Sequence, residues 1–101
     1  MKKEIFNQYL KQICSMFDIT VEELFTKTKK RTSVDARQLL YYMCVRQGIE
    51  LHYLITWCGE YDFKLNYSSL VNALRYMDKR IVDDRDYIRI IKDMESKLIP
   101  F

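Results

Sequence analysis

Glycine occurs only twice in the 101 residues, proline once and histidine once. That scarcity withholds the turn chemistry a many-stranded fold needs and favours helices joined by short polar loops. The two glycines, Gly48 and Gly59, are too far apart for a G-x-x-x-x-G-K-[S/T] phosphate loop and neither precedes a lysine, so no nucleotide is expected. No apolar run approaches the roughly 20 residues of a membrane span. The start, Met1-Lys2-Lys3-Glu4, lacks a secretory pattern. The three cysteines, Cys14, Cys44 and Cys58, are odd in number and far apart. They read as reduced, packed thiols of a cytoplasmic protein rather than a disulfide framework. With no Cys pair at ligand spacing and His52 alone, neither a metal nor any other cofactor is expected. No carboxylate pair lies near a nucleophile, His52 has no evident partner, and no cysteine has an activating context, so the chain is not read as an enzyme.

What is present is 49% hydrophobic and 31% charged residues, the balance of one globular domain over residues 1–101. The net charge of +3 is unevenly placed. Five of the seventeen Lys/Arg (Lys27, Lys29, Lys30, Arg31 and Arg37) but one acid, Asp35, fall between Lys27 and Arg37. That stretch carries +4 and the remainder −1, the pattern of a localised polyanion contact on a near-neutral domain. The bland alternative is a solvated charged loop, the usual fate of an isolated run.

Apolar spacing of three and four predicts a helix over Lys2 to Phe17, with Ile5, Phe6, Tyr9, Leu10, Ile13, Met16 and Phe17 inward. Asp18 and Ile19 break it. Thr20-Val21-Glu22-Glu23 fits a capping box for a short helix ending near Thr26. After the basic loop, Thr32 or Ser33 is the expected cap of a helix from Val34 to Gln47, stopped by Gly48. Leu51 to Cys58 forms a short helix ended by Gly59, with Trp57 either core or surface. Asn66 caps a helix to about Ile81, whose buried stripe is Leu70, Ala73, Leu74, Met77 and Ile81. Asp83, Asp84 and Asp86 open a last helix to about Leu98.

This order of elements resembles the C-terminal DNA-binding domain of the bacterial chromosomal replication initiator DnaA, from about Ile13 to Met77. Residues 82–101 add a helix and tail. Phe17 to Phe25 (FDITVEELF) is similar to the family's "Y/F-x-I-x-V-x-D/E-L" segment. Thr26 to Gln38 (TKTKKRTSVDARQ) resembles its basic loop, "SK-basic-R…RPRQ". Asn66 to Met77 (NYSSLVNALRYM) aligns without a gap to its signature helix, "DHTTVLHAVRKI". The resemblance implies an all-α, Trp-repressor-like bundle of about six helices containing a helix-turn-helix, formed by the Leu51 and Asn66 helices. It implies backbone or minor-groove contacts by Lys27, Lys29, Lys30 and Arg31, with Lys29 or Arg31 entering the groove, and backbone contacts by the pair Arg37-Gln38. It implies base readout by Asn66, Tyr67, Ser68 and Ser69; Asn72 and Arg75, further along the same polar face, are expected to address base edges as well. The sequence departs from the family where Asn66 replaces Asp, Tyr67 replaces His and Leu65 replaces a basic residue. Asp35-Ala36 stands for Arg-Pro, and the turn before Asn66 is about four residues longer.

The expected function is therefore sequence-preferring double-stranded DNA binding, outside the family's own target sequence. The chain is expected to act as a free-standing small regulator or accessory replication factor, encoded by a phage or mobile element. The alternative is a protein-interaction module or dimerising adaptor that kept the fold and meets a homodimer or other protein partner through exposed aromatics.

Overall fold

The structure, a computed structural model, describes residues 2–28 and 30–99. Six helices account for the regular structure, and there is no strand among the described residues: α1 (Lys2–Phe17), α2 (Val21–Leu24), α3 (Arg31–Arg46), α4 (Leu51–Gly59), α5 (Tyr67–Asp83) and α6 (Arg85–Ser96). The all-α expectation holds. Among the described residues no helix is long and apolar enough to cross a membrane.

Local chemistry sets most boundaries. Thr20 accepts from the Glu23 amide while the Glu23 carboxylate accepts from the Thr20 amide, each at 3.1 Å, completing the expected box at α2. Asn66 accepts from the Ser69 amide at 2.8 Å and starts α5. Three helices end in the same way, with two carbonyls of the last turn reclaimed by the residues that follow. For α1 the donors are Asp18 and Ile19, for α3 Gly48 and Ile49, and for α4 Asp62 and Phe63. The first residue of each pair is left-handed, at φ of +53°, +81° and +59°. Gly59, the expected stop of α4, is still helical; the reversal falls three residues later on Asp62.

The start of α3 also differs from expectation. Neither Thr32 nor Ser33 caps it; α3 begins at Arg31, and Lys30 occupies the cap without a side-chain bond. Ser33 is instead buried, donating to the Glu23 carbonyl at 3.0 Å. A tertiary demand has claimed the hydroxyl a local cap would have used.

Helix α3 is the central element, packed on α1, α2 and α5. Leu39, Leu40 and Met43 from α3 share one core with Phe6, Tyr9 and Ile13 of α1 and with Leu70 and Met77 of α5. Leu74 and Ile81 are only half-buried and Met16 is exposed, each less buried than expected. Trp57 resolves to core, its ring 5.3 Å from that of Phe6 and 5.4 Å from that of Tyr53. Arg46 and Gln47 hold α6 through Glu95. Gln8 both donates to and accepts from Ile99, fastening the tail to α1.

Candidate nucleic-acid interface

Two groups of exposed polar side chains emerge from this packing. The first is the basic segment between α2 and α3. Lys27, Lys30 and Arg31 are exposed; Lys29, expected there and as a groove contact, lies outside the described residues. The second is the outer face of α5, where the same period that buries Leu70, Ala73 and Met77 exposes Tyr67, Ser68, Ser69, Asn72 and Arg75. Asn66 is exposed as well, but its carboxamide oxygen is engaged as the cap, leaving the amide nitrogen as its outward group.

Arg37, expected with Gln38 to face a phosphate backbone, is turned into the protein instead. Arg37 is only 8% exposed. Its Nη1 donates to the carbonyls of Leu24 at 2.6 Å and Thr26 at 3.0 Å, and its Nη2 donates to that of Thr28 at 3.2 Å. The guanidinium carbon lies 4.8 Å from the centre of the Phe63 ring. The reason is the brevity of α2: its four residues leave the carbonyls that follow without helical partners, and a buried guanidinium supplies the donors. Burial pulls the Arg37 pKa below its ordinary value, though such a group stays charged. Gln38 is half-buried, with Oε1 enclosed and unpartnered.

Asp35, the acid in the basic stretch, accepts from Arg80 Nη1 at 3.2 Å and lies 3.5 Å from Arg31 Nε. Arg80 in turn rests 4.6 Å from the Tyr87 ring. The Asp35–Arg80 pair ties α3 to α5, and Arg31 leans towards the same carboxylate from outside.

These contacts bring the two groups to neighbouring ground. A notch lined by Lys27, Thr28, Arg37 and Phe63 joins the basic segment to the α4–α5 connection. A second notch, lined by Arg31, Tyr76, Lys79, Arg80, Asp83 and Asp84, joins the start of α3 to the far half of α5. Tyr76 and Lys79 are exposed and continue the Ser68–Asn72 face; Lys64 is exposed just before α5. Sequence reasoning passed over these three as site residues, although the three-and-four spacing from Ser68 would have found Tyr76 and Lys79. The thiols show no activation: burial raises Cys14 and Cys44 above the ordinary range and pushes Cys58 up to about 12.

The chain is similar to the chromosomal replication initiator protein DnaA of Flavobacterium psychrophilum, at 26% identity over 100 residues. The match covers 97% of this chain but 20% of that protein, so the chain spans about a fifth of its relative's length. No protein-family model matches the chain. No solved structure matches it either.

Proposed function

We propose that this chain is a double-stranded DNA-binding module in which α4 and α5 act as a helix-turn-helix. Helix α5 reads the major groove, and the basic segment holds the adjacent backbone. The observation that carries the reading is the convergence of two separate polar surfaces, with Arg31, Tyr76 and Lys79 lining one notch beside Arg80, Asp83 and Asp84. A lone solvated loop would have no such neighbour. The similarity to DnaA runs through both surfaces and supports the reading without fixing the target sequence.

The roles divide by chemistry. Lys27, Lys30, Arg31 and Lys79 are cations on exposed stems, suited to phosphates. Ser68, Ser69, Asn72 and Arg75 present short donors and acceptors or a fork, suited to base edges. Tyr67, 62% exposed, offers a ring and one hydroxyl where the DnaA pattern has His. Such a module would serve a regulator or accessory replication factor by delivering it to duplex DNA.

The test is fluorescence anisotropy of a labelled duplex across a salt series. Binding should weaken with salt, and Lys30→Ala should reduce the slope of log K against log salt by about 0.9. Asn72→Ala should leave the slope intact and cost about 1–3 kcal/mol on a preferred site alone. Wild-type protein with no salt-dependent duplex binding would sink the proposal. The exposed Tyr53, Tyr61, Tyr76 and Val82 would then favour a protein-partner surface.

A further inference from the structure

The basic segment is not a free loop. Three of its flanking carbonyls, at Leu24, Thr26 and Thr28, converge on one guanidinium. Ser33 holds the preceding Glu23 carbonyl, and Thr28 Oγ1 accepts from the Lys30 amide at 3.1 Å. The same guanidinium rests on Phe63 in the α4–α5 connection. Phe25, at the end of α2, reinforces that contact: its ring stacks on Tyr61 with centres 4.6 Å apart and lies 6.0 Å from Phe63. From Phe63 the chain passes through buried Leu65 directly into the Asn66 cap of α5.

We infer that Arg37 is a positioning residue for duplex recognition: through the three carbonyls and Phe63 it fixes the basic segment relative to the first turn of α5. The inference rests on the duplex-binding reading and reassigns Arg37 from a phosphate contact to the link between the two surfaces. A duplex offers its phosphates and base edges at fixed separations, so cations on a wandering loop must be ordered at the moment of binding. Each immobilised long side chain then costs affinity. With its carbonyls tied to Arg37, the segment carries Lys27, Lys30 and Arg31 already placed. The charge of Arg37 never needs to touch DNA.

Four variants and one cycle test this. Without DNA, trypsin should cut at Lys27, Lys29, Lys30 or Arg31 several-fold faster in Arg37→Ala than in wild type while the helical signal is retained. With duplex, Arg37→Ala should weaken binding roughly tenfold, as an ordering cost would. Lys27→Ala should weaken wild type clearly but have little further effect in the Arg37→Ala background. Additive losses would mean that Arg37 acts on the duplex independently of the segment, and would overturn the inference. Arg37→Lys keeps the charge but cannot bridge three carbonyls with a planar fork, so it should fail to rescue; rescue would mark Arg37 as a simple phosphate partner. If neither Arg37 variant folds, Phe63→Leu decides, because it leaves every cation in place. Faster cutting with weaker binding supports the link, and wild-type behaviour in both overturns it. Absence of duplex binding by wild type would instead defeat the DNA reading itself and the inference with it. Wild-type binding with additive losses defeats the inference alone.

Discussion

Replacing Asp35 by Asn should lower stability and raise DNA affinity together, a pairing few substitutions produce. Asp35 is 14% exposed on its side chain and sits 3.2 Å from Arg80, itself 25% exposed. At that separation and an effective dielectric near 20 the gross attraction is about 5 kcal/mol. Desolvation of both groups offsets much of it, and Asn still accepts a hydrogen bond from Arg80. A net loss of about 1–2 kcal/mol remains. For a domain of this length that corresponds to a fall in Tm of roughly 5–15 °C. The partner Arg31 is different, at 74% exposure and 3.5 Å, an exposed pair contributing at most a few tenths of a kcal/mol. In wild type the carboxylate shares Arg31 with the phosphate; freed from it, Arg31 neutralises the phosphate in full. The salt slope should steepen by at most about 0.9, so raising salt from about 50 to 200 mM would cost the variant up to about three- to fourfold more affinity than wild type. At the low-salt end the variant should bind more tightly. Thermal melts and duplex anisotropy on the same preparation provide both readings. A folded variant with an unchanged slope and no gain at low salt would refute the idea that Asp35 competes with phosphate for Arg31.

Two further outcomes follow from burial. Leu70→Ala, in a fully buried position, should destabilise by about 2–5 kcal/mol in urea titrations, whereas Ser69→Ala should weaken duplex binding with little change in stability; equal effects of the two on the urea midpoint would contradict the assigned faces of α5. At alkaline pH, Cys58 (ordinarily 9.0) and Tyr9 (ordinarily 10.0) are each pushed up to about 12, by burial in both cases. The folded state therefore holds protons that the unfolded chain releases, so the stability due to these groups is fully present below about pH 9 and is lost as pH rises towards 12. Cys58→Ala should flatten part of that decline, and a urea midpoint constant from pH 9 to 11 would contradict it.

The sequence was most legible where the determinant is local. The Phe6–Ile13 core of the α1 stripe, the Thr20–Glu23 box, the Asn66 cap and the Gly48 stop each depend on residues within a turn or so of one another, and each appears as expected; Met16, at the far end of that stripe, is exposed instead. It was least legible where a side chain answers a distant backbone. Arg37 looks like a surface cation until the unpaired carbonyls after α2 are seen to need a donor. Ser33 looks like a cap until the Glu23 carbonyl claims it. Asp35 looks like a charge lost from the basic stretch, and becomes an α3–α5 tie only when Arg80 arrives from 45 residues away. Phe63 and Leu65 read as a loop insertion, yet both are buried, because the longer connection folds back over Arg37 rather than extending into solvent. The outward face of α5 was readable from period alone, but its proximity to Arg31 was not.

The placement of the lone tryptophan has a practical consequence. Trp57 is 9% exposed, with Phe6, Tyr53 and the ammonium of Lys3 around its ring, all on α1 and α4. Its emission should therefore be blue-shifted and poorly quenched by iodide in the native state, and should move to the red when α1 separates from α4. Duplex held by the outer face of α5 would leave those ring neighbours untouched. Intrinsic fluorescence then reports folding while a label on the DNA reports association, and the two optical signals can be read from one cuvette without correcting either for the other.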